Sequence, residues 1–266
     1  MRTNDKSQQR PIRVGLIGFG KAGQAVCAEL LKAHDIDVIW VMRRQTGAGP
    51  DAAESVIGEF SPGARTPLLG MGHTDIRWLL QERPVDFLVD FSGVESCHYY
   101  AEAAAAAGVG IVSAVSNYEV REVDVLRKAS ENTCVLHSPN ITVGINFVML
   151  AAKILQRLAP HADVEIIEEH FRAKHEVSGT ARRIAQALGL DEKEHINSVR
   201  VGGIVGRHEI VFGFPYQTLR LVHESISRNA FGQGALFALR ALSGRAAGFY
   251  TMEQLVGEGF TSTVDA

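Results

Sequence analysis

The stretch "VGLIGFGKAGQAV", residues 14–26, decides the fold. It joins an apolar, strand-like run at 12–17 to a segment of helical periodicity at 22–33, through the glycines of Gly18-x-Gly20-x-x-Gly23. Such glycines permit a tight turn, a close approach of the backbone to a pyrophosphate, and close packing of the helix on the strand. The start of the helix then offers N–H groups and the positive end of its dipole to phosphate oxygens.

This strand–turn–helix context predicts a dinucleotide-binding site, because the glycine spacing alone is weak evidence whereas the flanking elements are where such a site needs them. The residues that we expect at the pyrophosphate are Gly18, Gly20, Lys21, Ala22 and Gly23. The alternative is a glycine-rich turn that binds no ligand.

Outward from this stretch, apolar runs alternate with helical patterns through the first half of the chain. Further strand-like runs occupy residues 37–42, 85–92, 109–115 and 133–138. Near-continuous apolar strands that alternate with helices predict a parallel sheet covered on both faces. The runs at 198–213 and 217–227 are closely spaced and favour a second sheet that is antiparallel or mixed. The fold class is therefore α/β, with a Rossmann-like dinucleotide-binding domain and a second domain of α+β type.

The end of the second predicted strand indicates which dinucleotide binds. Chains that bind NAD usually place Asp or Glu there, about 20 residues beyond the glycines, to bond the ribose hydroxyls. This chain has Arg43 and Arg44 instead. Two guanidinium groups would bind a 2′-phosphate that a carboxylate would repel, so we expect NADPH, with NADH possible. The alternative is that both arginines are solvated surface charges.

Composition excludes several classes of function. Of the 266 residues 46% are hydrophobic and 21% are charged, and the net charge of −3 gives no electrostatic reason to expect nucleic acid or a membrane surface as a partner. The N-terminal segment has no signal-peptide core, and no run approaches the roughly 18 apolar residues of a membrane span. Cys27, Cys97 and Cys134 form no metal motif and fit a reducing compartment. We expect a cytoplasmic protein with free thiols and no metal site.

A second stretch, "EIIEEHFRAKHEVSGTARRIAQALG" at 165–189, places His170 and Lys174 just before the start of a predicted helix. Ser178 is suited to cap that helix, and the N–H groups of Gly179 and Thr180 should be unpaired and open to a carboxylate. An imidazole can deliver a proton near neutral pH, and a Lys can orient an anion. The alternative is a surface His and Lys before a capped helix.

Several segments together resemble the dihydrodipicolinate reductase (4-hydroxy-tetrahydrodipicolinate reductase) family, which serves bacterial lysine and diaminopimelate synthesis. The most specific is "VEIIEEHFRAKHEVSGTARRIA" at 164–185, which is similar to the family pattern of acidic strand, His pair, Lys and Ser-Gly-Thr-Ala. Supporting segments follow in the family's order: "GFGKAG", "VDFS", "SPNITVGIN", "SVRVGGIVGRHEIVFG" and "HESISRNAFGQGAL". The resemblance covers nearly the whole chain after residue 11.

The resemblance implies a reductase, usually a homotetramer, with a dinucleotide-binding domain at 1–140 and 228–266 and a substrate-binding and oligomerisation domain at 141–227. It implies that His170 donates the proton, that Lys174 is a substrate-binding and catalytic cation, and that Gly179 and Thr180, beside Ser178, hold a carboxylate of an anionic imine. Further residues that it places at the cofactor cleft are Phe91, Ser92, Ser113, Ala114, Val115, Asn140, Ile141, Arg228 and Phe231.

Departures from the family pattern cluster around the expected substrate. Phe171 stands where the family has its second His, so we expect it to contact the substrate as an apolar wall. The residues before Ser-Gly-Thr are His175-Glu176-Val177 rather than Asp-Ala-Pro, and the turn at 113–116 is Ser-Ala-Val-Ser rather than Gly-Thr-Thr-Gly. Three interpretations stay open: a reductase of the family substrate, a divergent reductase of a related imine in a specialised pathway, and a non-catalytic protein that binds NADPH.

Overall fold

The computed structural model describes residues 10–44 and 66–264, which form two compact units. The first unit contains the described residues up to 141 together with 231–252, and the second contains 142–230 together with 253–264.

Seven parallel strands form the sheet of the first unit. In chain order they are β1 (Ile12–Ile17), β2 (Ile36–Arg43), β3 (Leu68–Gly70), β4 (Phe87–Asp90), β5 (Gly110–Ser113), β6 (Cys134–His137) and, late in the chain, β11 (Gly248–Tyr250). Their spatial order is β11-β6-β5-β4-β1-β2-β3. The parallel, Rossmann-like sheet predicted from the glycine motif and the apolar runs is confirmed.

Helices accompany these strands because each crossover between parallel neighbours needs one. They are α1 (Lys21–Lys32), α2 (Ile76–Glu82), α3 (Ser96–Ala106), α4 (Val120–Ala129) and α8 (Asn229–Leu242), with a short 3-10 turn at Met71–His73. Every residue of β4 and β5 is buried, which explains why these strands are apolar without alternation. The edge strands β3 and β11 were not predicted, since three residues are too few for a recognisable period.

The second unit contains a mixed sheet, as the closely spaced runs predicted. Its strands are β7 (Asp163–His170), β8 (Ile196–Arg200), β9 (Arg207–Phe214) and β10 (Gln217–Glu224), in the order β10-β9-β7-β8. Only the β7–β8 pair is parallel. The helices of this unit are α5 (Val143–Leu158), α6 (Gly179–Leu188), the short α7 (Glu192–His195) and α9 (Met252–Val264).

Alternation along β7 positions the polar groups of the second unit. Val164 and Ile166 are buried in the core of this unit, and Glu168 and His170 follow on the same face at the carboxyl end of the strand. The period of two therefore places two titratable side chains on the buried face of β7.

The end of the chain lies differently from the predicted domain boundaries. We expected residues 228–266 in the first domain, but only 231–252 lie with that unit. Helix α9 belongs to the second unit, where Glu253 pairs with Lys153 and the ring of Phe260 lies 6.3 Å from that of Phe147. These long-range contacts have no local sequence signal, so the last crossing between the units was missed.

Membrane and metal sites can be assessed over the same residues. In the ranges 10–44 and 66–264, no helix combines the length and the hydropathy needed to cross a bilayer. Within those ranges no group of three or more His, Cys, Asp or Glu side chains is arranged to hold a metal ion. Cys27, Cys97 and Cys134 are buried free thiols, and burial raises the pKa of Cys27 to about 12.

Candidate active site

The glycine turn of the first unit has a separate reason for each of its glycines. Gly18 has φ +98°, and a Cβ there would lie 2.5 Å from the backbone carbon of Phe91. A Cβ on Gly23 would lie 1.9 Å from the carbonyl oxygen of Gly18, so the helix can pack this closely only with glycine. A Cβ on Gly20 would meet no atom of the described residues within 4 Å, which leaves space directly before the start of α1. Lys21 and Ala22 occupy the first turn of α1.

A pocket of about 380 Å³ opens at this turn. It brings together six of the predicted cofactor residues, namely Gly18, Gly20, Arg43, Arg44, Phe91 and Ser92. The Nε atom of Arg43 is buried and has no hydrogen-bond partner among the described residues. A cradle without side chains beside two guanidinium groups fits the phosphates of a dinucleotide. Glu95 also lines the pocket, but its carboxylate pairs with Arg121 at 3.2 Å.

Asp90, which sequence reasoning missed, organises the neighbouring strand ends. It is fully buried and accepts hydrogen bonds from Ser92 N–H at 2.9 Å, Ser96 Oγ at 2.8 Å, Tyr100 OH at 2.9 Å and Tyr118 OH at 3.1 Å. Burial raises the pKa of Asp90, against the lowering effect of these hydrogen bonds. The carboxylate therefore fixes the turn after β4, where Phe91 and Ser92 face the pocket.

The remaining predicted cofactor residues lie at other places in the fold. Ser113 ends β5 and is buried, and Ala114 and Val115 follow it, while Asn140 and Ile141 follow β6. Since β1, β4, β5 and β6 are parallel, all of these residues lie at the carboxyl end of the sheet, where the glycine turn also lies. The ring of Phe231, in α8, lies 6.5 Å from that of Phe91. Arg228 precedes α8 in the second unit, and its role at the cofactor stays a prediction.

In the second unit, His170 is oriented by a buried carboxylate. Its Nδ1 lies 2.5 Å from Oε2 of Glu168, and only 10% of its side chain is exposed. A Cβ on Gly206 would lie 3.1 Å from Nε2 of His170, so the glycine there leaves room beside that nitrogen. The His170 ring is also edge-on to that of His208, with 5.3 Å between ring centroids.

Glu168 is bonded from four directions, although nothing in the sequence analysis singled it out. Arg200 forms a two-pronged pair with it, at 2.9 Å and 2.6 Å, and Ser198 Oγ donates at 2.6 Å. The N–H of Ser178 donates at 3.2 Å to Oε1, the same oxygen that accepts from Ser198 Oγ. Burial by itself raises the pKa of Glu168, but the hydrogen bonds from Arg200, Ser198 and His170 prevail and hold it at about 2. Glu168 is therefore an anion that contacts both the imidazole and the start of α6.

Ser178 caps α6 as predicted, accepting from the N–H of Thr180 at 3.2 Å and of Ala181 at 3.5 Å. The expectation that the Thr180 N–H is unpaired was wrong, because the side-chain oxygen at an N-cap reaches the second and third N–H groups of the helix. Gly179 is exposed, and a Cβ there would meet nothing within 4 Å, so the open space lies before Gly179.

His208 supports this cap from β9. Its Nε2 lies 2.7 Å from Ser178 Oγ, while its Nδ1 is buried and has no partner in the described part of the chain. Burial, with a smaller contribution from the neighbouring imidazole of His170, lowers the pKa of His208 to about 4. His208 is therefore a neutral side chain that supports the start of α6.

Lys174 and Phe171 lie on the loop between β7 and α6. The Lys174 N–H donates to the Phe171 carbonyl at 3.0 Å, and the Lys174 carbonyl accepts from Arg200 Nε at 2.8 Å. The charge of Lys174 contributes to lowering the pKa of His208, so the ammonium lies within electrostatic reach of the His cluster. The Phe171 side chain is 43% exposed at the end of β7. The loop thus carries an apolar ring directly after His170 and a cation within electrostatic reach of His208.

Comparison with known proteins shows the family to which this chain is related. Models of the N-terminus and the C-terminus of dihydrodipicolinate reductase match residues 12–141 and 141–256. The chain belongs to the dihydrodipicolinate reductase family. Membership in this reductase family makes it an NAD(P)H-dependent oxidoreductase, which confirms the resemblance seen in the sequence.

Individual members of this reductase family are similar to the chain in sequence and in fold. A 4-hydroxy-tetrahydrodipicolinate reductase from Syntrophus aciditrophicus is 34% identical over 266 residues, covering 90% of this chain and 96% of that protein. One from Caldanaerobacter subterraneus subsp. tengcongensis is 31% identical over 208 residues, covering 70% and 82%. A dipicolinate-bound dihydrodipicolinate reductase from Paenisporosarcina sp. TG-14 has the same fold, with a TM-score of 0.75 at 21% identity over 91% of this chain and 97% of that one.

Sequence signals did exist for two of the missed residues. Asp90 is the one acidic residue in the apolar run "FLVDF". Burying a carboxyl group is costly unless it is hydrogen-bonded, so this position indicates a carboxylate with hydrogen-bond partners. Glu168 lies two residues after Ile166 and two before His170, so the period of the strand predicts a shared face. Arg200 and His208 had no such signal, because only the pairing of β7 with β8 and β9 brings them to Glu168 and Ser178.

Proposed function

We propose that this chain is an NADPH-dependent reductase of a cyclic imino acid, in which His170 donates the proton. The observation that carries the proposal is that one buried carboxylate, Glu168, bonds both His170 Nδ1 and the N–H of Ser178. An imidazole and the open start of a helix therefore lie side by side, as the protonation of a bound anion requires.

The residues of the second unit take distinct roles in this proposal. The helix start at Gly179 binds a substrate carboxylate, with the Ser178 cap holding the turn in shape. Lys174 supplies the cation that orients the substrate. His170 Nε2 gives its proton to the reduced substrate, and the low exposure of the imidazole limits exchange of that proton with water. A reduced nicotinamide, when bound, supplies the hydride.

NADPH rather than NADH is proposed from the first unit. Arg43 and Arg44 both line the pocket at the glycine turn, and no residue in the ranges 10–44 and 66–264 supplies an acceptor to the buried Nε of Arg43. A 2′-phosphate would satisfy that donor with a charge-assisted hydrogen bond. By the same proposal, the first unit binds the cofactor and the second binds the substrate.

The test follows cofactor oxidation with freshly prepared 4-hydroxy-tetrahydrodipicolinate and with a panel of cyclic imino acids, each with NADPH and with NADH. We expect turnover with at least one of these imines and a preference for NADPH. His170→Ala should lower kcat by about 100-fold or more, the usual contribution of a general acid, and leave NADPH binding intact.

His161→Ala is the matched control, since His161 lies near the opposite end of β7 with its ring against Phe214. It should keep nearly full turnover. Equal turnover of His170→Ala and the wild type would remove His170 from the reaction, and no oxidation of either cofactor across the panel would reject the reductase proposal for these substrates.

Phe171 favours a second candidate, a related imine with fewer polar groups than the family substrate. An exposed aromatic ring at the end of β7 replaces a polar group beside the proposed proton donor. A site that lacks a polar partner discriminates poorly for a polar substrate. Phe171→His should then raise kcat/KM for 4-hydroxy-tetrahydrodipicolinate by about tenfold. Rapid wild-type turnover of that substrate, unchanged by Phe171→His, would exclude the second candidate.

We also propose that the protein is a cytoplasmic homotetramer. The open face of the mixed sheet supports an assembly through the second unit, because Val199 and Val222 are more than 40% exposed there. Sedimentation analysis of the purified protein tests this, and a monomer at micromolar concentration would contradict it.

A further inference from the structure

We propose that Glu168 and Arg200 are a positioning pair that keeps the proton of neutral His170 on Nδ1, so that Nε2 is the nitrogen that exchanges a proton with the substrate. This inference rests on the proposed function for its role in turnover. Its structural part, the protonation site of one imidazole, can be measured without any substrate.

The orientation follows from what each group can donate. An ionised carboxylate is an acceptor only, so the 2.5 Å contact between Glu168 and His170 Nδ1 requires the proton on Nδ1. The low pKa of Glu168 keeps it ionised over the whole range in which proteins work. Among the residues that the structure describes, Nε2 has no hydrogen-bond partner, and Gly206 leaves the space beside it free of a side chain. Fixing one ring nitrogen thus determines the role of the other.

Arg200 is what holds the carboxylate in this orientation. Its guanidinium grips both oxygens of Glu168, which removes the freedom of that carboxylate to rotate away from the imidazole. The same guanidinium donates to the carbonyl groups of Lys174 at 2.8 Å and Glu176 at 2.9 Å. Arg200 therefore ties the orientation of His170 to the conformation of the loop that carries Lys174.

The charged and titratable groups around His170 come from every strand of the sheet. Glu168 lies on β7, Arg200 on β8, His208 on β9 and His223 on β10, with Lys174 in the loop. His208 and His223 are neutral because burial lowers the pKa of each. Glu168 is accordingly the one anion that contacts the imidazole within the described part of the chain.

The experiment combines Glu168→Gln and Arg200→Lys with a matched control, Glu169→Gln. Glu169 is the next residue of β7, points to the opposite face and pairs with Arg207 at 2.5 Å. The tautomer of His170 is read from long-range proton–nitrogen correlation spectra of the labelled full-length protein at mildly alkaline pH, with the signal assigned by its loss in His170→Asn.

We expect the Nδ1–H tautomer in the wild type and in Glu169→Gln, and a gain of the Nε2–H form in Glu168→Gln. Glu168→Gln should lower kcat/KM by about 10- to 100-fold without changing the affinity for NADPH. This is the usual size of the effect when a hydrogen-bond partner that orients a functional His is removed. Arg200→Lys keeps the positive charge but loses the pair of N–H donors that bond both oxygens of Glu168. It should therefore raise KM more than it lowers kcat.

A wild-type His170 protonated on Nε2 overturns the inference, even if Glu168→Gln does not fold. An unchanged tautomer in a folded Glu168→Gln overturns it as well. Because the tautomer needs no substrate, these outcomes leave the proposed reduction standing. Conversely, an Nδ1–H tautomer in a wild-type protein that reduces no imine rejects the proposed reaction and keeps the positioning pair.

Discussion

At the scale of single residues, Gly18 and Gly20 show how neighbouring glycines serve different ends. Gly18 is required by the fold, because its φ is positive and the backbone of Phe91 lies against it. Gly20 has extended backbone that any residue adopts, and nothing stands within 4 Å of a Cβ there. What Gly20 leaves open is the space that a pyrophosphate would fill.

Gly20→Ala should therefore separate binding from stability. We expect a melting temperature within about 2 °C of the wild type, since the added methyl group meets no atom of the residues that the structure describes. The Kd for NADPH should rise by about tenfold or more, because the methyl group would stand between the backbone and the phosphates. Calorimetric titration with NADPH measures this. Unaltered NADPH affinity in Gly20→Ala would place the cofactor elsewhere.

At the scale of elements, the start of α6 depends on both its own sequence and a neighbouring strand. Ser178 caps the helix locally, while its hydroxyl also meets His208 Nε2 from β9. A simpler cap occurs at α2, where the side chain of Asp75 accepts from the N–H groups of Arg77 and Trp78 and forms no other hydrogen bond with a described residue. The two caps allow the local and the tertiary contribution to be compared.

Ser178→Ala should destabilise the protein by about 2–3 kcal/mol, the sum of a lost cap and of a buried ring nitrogen left without a partner. Asp75→Ala should cost only about 1 kcal/mol, because it removes a cap alone. Urea unfolding of both variants measures the difference. Equal losses would mean that the contact between Ser178 and His208 contributes nothing to stability.

At the scale of the whole molecule, the two units should respond differently to mild acid. His208 and His223 both lie in the second unit, and burial lowers the pKa of each. A group whose pKa is lowered by folding binds its proton more readily in the unfolded chain, so stability is lost as the pH falls. For His208 this window runs from the ordinary 6.5 to about 4, and for Glu168 from 4.5 to about 2.

Between pH 6.5 and about 4.5, the second unit should therefore lose stability first. The loss from His208 is on the order of 3 kcal/mol when complete, since one pKa unit corresponds to about 1.4 kcal/mol. Hydrogen exchange measured along the chain should show β7 and β9 opening before β1 and β4. His208→Gln should flatten this dependence, and an acid response that begins in the first unit would contradict the prediction.

Much of the fold and part of the candidate site could be predicted from the sequence, because their signals are local. The glycine spacing and the buried apolar strands specified the parallel sheet, and the run "EEHFRAKHEVSGT" specified a His at a strand end and a Ser at a helix start. Glu168 was missed although its signal was present, since the alternation of β7 places it on the face of Ile166 and His170.

The sequence by itself determined the dinucleotide fold, the position of the His and the cap of α6, because each depends on residues within one turn or one strand. Only the tertiary structure decided which partners these groups have. Arg200 and His208 reach Glu168 and Ser178 across 32 and 30 residues of chain, through the register of β8 and β9 on β7. Helix α9 likewise joins the second unit through contacts between residues far apart in the chain, such as Lys153 with Glu253. Register and packing are set by the burial of whole faces, which no short stretch of sequence contains.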